Sequence, residues 1–381
     1  SRIASRIMLT RRQVLKVGAL TGGALLLGAC SPPSRTAVRI PRPLRAGGTI
    51  GVCAPSAGVP KAVEARYAFA VDYLNQLGYS VVTRGTIVTD DIASGSARQR
   101  AADLQELLLD PGIDAVVPPW GGELCIDILP FIDWKALRAA RPTWLVGYSD
   151  LSTFQVPYLI NTHTASIDGS NLLETPIDPP GPGLAWWPDV AALSAGSSFT
   201  QVSTPRYQAS DVDWAATPRT TSFNLDTVSR WMVLGHEDDS SYVLRASGRI
   251  IAGTIDVLAP IACTPNGDVR GFAAAVRPDK LLIALDAADF NTAQFARALW
   301  DLRAAGWFDD AAAIVLGRTA GEVVDGFTVQ DAAADALGDL NVPVVYGADI
   351  GHLPPQMLWV QGASASLTVS NGSGRLEQTL I

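Results

Sequence analysis

From Gly47 onward the chain alternates short apolar runs with longer stretches in which apolar residues recur at helical spacing. "TIGVCAP" reads as a strand and turn, and Lys61 to Leu77 as an amphipathic helix. "YSVVTRG" reads as a strand, followed by a helix from Ala97 to Asp110 rich in good helix formers. "IDAVVPPW" predicts a buried strand stopped by its prolines, and "ELCIDILPFIDW" and "KALRAARP" predict short helices. "TWLVGYS" predicts another strand, with a helix from Asp150 to Ile160 behind it. Strands alternating with helices imply parallel pairing through right-handed crossovers, an α/β arrangement. Ligands of such sheets gather at the carboxyl ends of the strands, where Trp120-Gly121-Gly122 and Ser149 would fall.

Residues 172–242 break this rhythm. "ETPIDPPGPGLAWWPD" and "SAGSSFTQVSTPRYQASD" carry turn residues and little periodicity, so they predict a linker and an irregular cover. Alternation resumes in "GRIIAGTIDVLAPI", "KLLIALDAADF", a helix from Thr292 to Ala305 and "AAAIVLG". A helix from Val329 to Leu337, "VPVVYGADIGH" and the strands "SASLTVS" and "RLEQTLI" complete a second α/β domain.

Composition narrows the function. The 381 residues are 48% hydrophobic and 17% charged, enough for a large core and unlike a disordered polymer. Net charge is -8, and no Lys/Arg cluster follows the first sixteen residues, which excludes a nucleic-acid partner. The three histidines and four cysteines show no metal-ligand spacing, so neither a metal nor another cofactor is expected. Cys53, Cys125 and Cys263 are expected to be isolated buried thiols.

The amino terminus reads as an address. Thr10 to Lys16, "TRRQVLK", resembles a twin-arginine export signal, and Val17 to Ala29 is too short an apolar run to span a bilayer. "LGAC" resembles a lipobox, which would place a lipid on Cys30 and anchor an exported protein to the membrane. "SPPSRTAVRIPRP" then reads as an extended tether.

A serine hydroxyl that attacks needs a base, and the base needs an acid to hold its tautomer. Ser149 sits where a strand turns abruptly into a helix, a place for an exposed nucleophile and equally for an ordinary helix cap. His352, in the Gly/Pro-rich turn "GADIGHLPP", is the best placed base; His163 reads as a polar helix end and His236 as solvated surface. Asp286 ends an apolar strand, which suits either an acid that orients the histidine or an N-cap of the helix that follows. The diglycine of "WGGEL" leaves its backbone free to approach a ligand, and its amides could hold an oxyanion.

From about Pro43 to Leu376 these motifs resemble the LD-carboxypeptidase family of serine peptidases, which includes the microcin-immunity peptidases. The resemblance rests on "GTIGVCAPSAG", "GGELCIDILPFIDW", "GYSD", "GRIIAGTID", "LLIALDAAD" and "GADIGHLPP" in that order. It implies a flavodoxin-like parallel-sheet domain and a smaller C-terminal α/β domain of swivelling type, with the active site at their interface. It further implies Ser149 as nucleophile, His352 as base and Asp286 in place of the family's glutamate, one methylene shorter. Backbone N–H groups of Gly122 and Asp150 would form the oxyanion hole, with Trp120 and Glu123 as substrate contacts. The chain departs from the family at Gly121 to Asp127, which lacks an arginine, at Asp168-Gly169-Ser170 and at Ala252-Gly253. The resulting plan is a signal peptide at 1–30, a tether at 31–42, a nucleophile domain at 43–171, a cover at 172–244 and a C-terminal domain at 245–381. The implied activity is cleavage of an amide beside a free carboxyl terminus, such as the L,D bond that releases D-alanine from murein tetrapeptides. Two other readings stay open: a microcin-immunity-like peptidase acting on aminoacyl-nucleotide or small amide conjugates, and a non-catalytic lipoprotein that captures wall peptides. The partners expected are a peptide or muropeptide, the membrane through Cys30, and a second copy in a homodimer. Ser149 Oγ within about 4 Å of a His352 nitrogen, with Asp286 on the other, separates enzyme from binder.

Overall fold

The computed structural model of the protein describes residues 37–381. The export-signal motif, Cys30 and the start of the tether lie outside the described residues. Residues 37–42 do not form a free tether: Val38 is buried, Arg39 donates to the Arg138 and Ala140 carbonyls, and Arg42 pairs with Asp114. Both arginines find fixed acceptors on the domain, so this part of the segment is packed.

The first sheet contains β1 (Thr49–Val52), β2 (Ser80–Thr83), β3 (Ala115–Val116), β4 (Trp144–Gly147) and β5 (Ile167–Asp168). They run parallel in the order β2-β1-β3-β4-β5, the doubly wound order of flavodoxin-like sheets. Helices α1 (Glu64–Gln76), α2 (Ala97–Leu109), α3 (Trp134–Ala139) and α4 (Ser152–Thr162) lie between these strands in the chain. A fifth helix, α5 (Trp187–Ala191), follows β5.

The stretch 172–244 is less irregular than its composition suggests. It holds β6 (Ser198–Val202), β7 (Arg206–Tyr207), β8 (Thr227–Val228) and β9 (Met232–Val233). After it come β10 (Val243–Thr254), β11 (Leu281–Asp286), β12 (Ala311–Gly317) and β13 (Val344–Ala348). The chain closes with β14 (Trp359–Val360), β15 (Ser364–Ser370) and β16 (Ser373–Thr379). The second sheet is eight-stranded and mixed, β6-β16-β15-β10-β11-β12-β13-β9, larger than the first, while β7 and β8 pair with each other as a separate ribbon. Strands β6 and β9 form its two edges, each paired on one side only, with β16 and β13. Helices α6 (Ile255–Leu258), α7 (Val269–Val276), α8 (Thr292–Ala304) and α9 (Val329–Leu337) belong to this half. Within "GRIIAGTIDVLAPI" the strand gives way to helix at α6, and the expected helix beginning at Asp150 begins as a 3-10 turn at Ser149–Leu151.

Two features join the halves. β14, from the C-terminal half, adds antiparallel to β5 and makes the first sheet six-stranded and mixed, not purely parallel. Helix α4, buried along nearly its whole length, lies under the end of β10, where Thr254 N–H donates to Ser152 Oγ at 3.1 Å. On β11 the side chains alternate between two cores: Leu281, Ile283 and Leu285 join the core shared with the first sheet. Leu282 and Ala284 face a second core that includes Trp359. Continuous apolar runs such as "LLIAL" are what strands covered on both faces require. Trp359→Ala would open a cavity in that second core at the strand that joins the halves. A loss of about 3–5 kcal/mol of unfolding free energy is expected, measured by urea denaturation.

Candidate active site

The nucleophile turn is built by steric exclusion. Gly147 ends β4 at φ +151, and a Cβ there would sit 2.6 Å from Leu151 Cδ2 and 2.8 Å from Asn171 Oδ1. Tyr148 is extended, and Ser149 follows at φ +66, left-handed backbone that a serine rarely occupies. A non-glycine residue held there is locally strained and keeps its place because its surroundings fix it. Asp150 does much of that fixing. Its carboxylate, 1% exposed, accepts from Ser56 Oγ, from Cys125 N–H at 2.8 Å and from Thr153 Oγ1 at 3.2 Å. It therefore ties the nucleophile turn to the diglycine loop, a role of the side chain that the sequence pattern did not reveal.

The turn meets two residues of the other half. Ser149 Oγ lies 2.9 Å from His352 Nε2, and His352 Nδ1 lies 2.7 Å from Asp286 Oδ2. The other oxygen of Asp286 accepts from Thr254 Oγ1 at 2.9 Å, and Asp286 is only 2% exposed. Its carboxylate, one methylene shorter than glutamate, reaches the imidazole because the loop approaches closely: a Cβ on Gly351, at φ +101, would strike the Asp286 side chain. Asp286 does not act as the N-cap of the next helix; Asn291 fills that position for α8. Burial pulls the His352 pKa down, but Asp286, with Glu174 and Asp256 adding to it, pushes it up by more and leaves it above 6.5. Tyr148 lies with its ring centroid 5.0 Å from that of His352 and donates its hydroxyl to Glu174 at 2.7 Å.

Of the remaining expected residues, the diglycine is in place. A Cβ on Gly121 would lie 2.7 Å from Ser149 Oγ and 3.0 Å from Asp150 N, so only glycine fits over the hydroxyl. Gly122, at φ +141, packs against Ser56 and Ala57 and lines the cavity with Glu123 and Asp150. Trp120 does not line that cavity; its indole donates to the Gly58 carbonyl behind the diglycine, beside a neighbouring depression. His163 caps α4 in left-handed backbone, and His236 stacks on Tyr242. Cys53 and Cys125 are buried free thiols, whereas Cys263, expected to be buried, is exposed.

Ser149 and His352 open into a cavity of about 560 Å³ between the two sheets. Its wall carries Glu123, Asp211, Asp256, Asp289 and Glu322, with Phe290 as its one aromatic ring besides the imidazole and no Lys or Arg among the lining residues. Burial raises the Glu123 pKa, and Asp289, Asp150 and Asp256 raise it further. Asp256 is itself engaged, accepting from the N–H groups of Ala288, Asp289 and Phe290. Behind the site Asp168 is 3% exposed, with Oδ2 unpartnered among the described residues and its pKa raised by burial and then by Asp286.

A hydroxyl, an imidazole and a carboxylate aligned at the floor of a cavity are the constellation of a serine hydrolase. Residues 50–169 match the model of the LD-carboxypeptidase N-terminal domain and residues 247–367 that of the C-terminal domain, so the chain belongs to the LD-carboxypeptidase family of serine-peptidase hydrolases. A Vibrio cholerae protein that carries a carboxypeptidase name is 26% identical over 88% of this chain and 96% of its own. Among solved structures, the microcin C7 self-immunity protein MccF superposes with a TM-score of 0.71 at 20% identity, over 89% of this chain and 98% of its own. A muramoyltetrapeptide carboxypeptidase from Oxalobacter formigenes gives 0.61 at 18%, over 87% and 98%.

Gly121→Ala tests the steric logic of the turn. It is expected to slow fluorophosphonate labelling of Ser149 at least about 100-fold, since a small misplacement of reacting groups costs that much. The melting temperature should fall by only a few degrees.

Proposed function

We propose that Ser149 is the nucleophile of a carboxypeptidase that hydrolyses the amide preceding a terminal D-alanine in murein peptides. The observation that carries this is the unbroken line from Ser149 Oγ through His352 to Asp286, at 2.9 and 2.7 Å. With Nδ1–H donated to Asp286, His352 Nε2 is free to take the Ser149 proton as the hydroxyl attacks the carbonyl. The N–H groups of Gly122 and Asp150 receive the developing oxyanion. The imidazolium then protonates the leaving amine, which departs as D-alanine, and water deacylates the serine by the same steps in reverse roles. An acid at bonding distance from the base also supports an enzyme over a non-catalytic binder.

The cavity's charge bears on which part of the substrate faces it. A wall of carboxylates with no Lys or Arg among its lining residues attracts an ammonium group on the acyl side, such as a diamino acid carries. A nucleotide-bearing substrate would call for stacking surfaces, and Trp186 and Trp187 are absent from the lining, which leaves Phe290 alone. The amino-terminal motifs support export and a lipid on Cys30, which would hold the enzyme beside the cell wall.

Incubation of the purified protein with murein tetrapeptides should release D-alanine, and Ser149→Ala should release none. Release by both forms, or by neither, refutes the assignment. Because a protonated His352 cannot accept the serine proton, kcat/KM should rise with pH through a midpoint above 6.5 and then level off. Acetylating a free amine on the acyl side should lower kcat/KM several-fold at low salt, and added salt should shrink the difference.

A further inference from the structure

His352 sits on neither a helix nor a strand. It stands in the loop between β13 and β14, where glycine and two adjacent prolines supply the backbone shape and no regular ladder holds it. A base that must stay within hydrogen-bond reach of two partners needs support from the shell behind it. That support converges on one buried side chain from another strand. Arg318, directly after β12 and 7% exposed, donates through Nη2 to the Leu353 carbonyl at 2.9 Å and the Pro355 carbonyl at 2.6 Å. Through Nη1 it donates to Asp349 Oδ1 and to Ser229 Oγ at 3.1 Å. Asp349 is fully buried three residues before His352, and its Oδ2 accepts from Thr204 N–H at 2.7 Å. Met357 N–H closes the loop on the Asp349 carbonyl at 2.7 Å.

We infer that Arg318 is a positioning residue for His352, its guanidinium forked across the loop so that the residues on both sides of the histidine are held at once. The inference builds on the assignment of His352 as the base. The geometry calls for arginine: a planar fork reaches two carbonyls and a carboxylate together, whereas a lysine ammonium meets Asp349 as a point charge and cannot span the rest. The same guanidinium lies 4.7 Å above the Tyr207 ring, and Gln208 N–H donates to the Pro354 carbonyl at 2.8 Å. The cover segment thus hangs from the same clamp, and Asp211, a few residues on, lines the cavity.

Arg318→Lys keeps a cation for the buried Asp349 and loses the fork, so it separates positioning from folding. The groups facing His352, namely Asp286, Glu174, Asp256, Tyr148 and Ser149, stay unchanged in the variant. Two readouts are needed: the His352 titration by NMR, with His163 and His236 replaced singly for assignment, and the rate of Ser149 labelling by a fluorophosphonate. The expected result is a His352 midpoint lower by about 1 pH unit, as contact with Asp286 loosens, and labelling at least about 10-fold slower. Asp349→Asn leaves the bonds of Arg318 to Leu353 and Pro355 and should lose less labelling than Arg318→Lys at comparable melting temperature. A His352 midpoint and labelling rate both unchanged in Arg318→Lys overturn the inference. So does a loss that merely tracks melting temperature in both variants. If the wild-type protein is not labelled at all, the proposed function fails, while the His352 titration still decides the role of Arg318.

Discussion

A carboxylate taken out of water is costly unless donors meet it, and Asp286 is met on both of its oxygens. One oxygen takes the Thr254 hydroxyl and the other takes His352, so the apolar strand that ends on Asp286 is joined to the histidine loop. The loop in turn brings the imidazole to Ser149, which lies 203 residues away in the chain. Stability of the second domain and assembly of the reacting groups therefore draw on the same hydrogen bonds. The histidine loop passes close over Asp286, with Gly351 where any side chain would collide.

The two halves meet at places where each is incomplete alone. The first sheet takes its last strand from beyond the histidine loop, and the second rests on the helix that carries the nucleophile turn. Such sharing explains why the cavity lies between the sheets and why its walls mix residues from 122 to 352. It also gives the cover segment a purpose that its composition hides, since β6 and β9 add the outermost strands of the large sheet.

The parts that could be read from sequence are those set by local chemistry. Apolar runs flanked by helical periodicity located β1, β4, β11 and β12, and Gly-Tyr-Ser-Asp, Gly-His and the strand-ending Asp286 identified the residues that the structure brings together. What escaped depends on partners far away in the chain. The edge strands β6 and β9 lack strong alternation and owe their form to the strands they pair with, and α6 overrides a β-branched run through burial of Ile255 and Leu258. The carboxylate of Asp150 and the fork of Arg318 carry no motif, because what matters about them is the set of distant groups they bind. The side taken by Trp120 is equally hidden: a ring beside a diglycine can turn to either side of the loop, and here it turns to the Gly58 carbonyl.

The position of β14 has a consequence for how the protein comes into being. The first sheet receives its final strand only when residues near 360 have emerged, and the base arrives a few residues before it. Contacts of such long sequence separation form late and fold slowly. A nascent chain thus spends most of its synthesis with that sheet edge unpaired, and the hydroxyl, imidazole and carboxylate come together only as the chain nears completion.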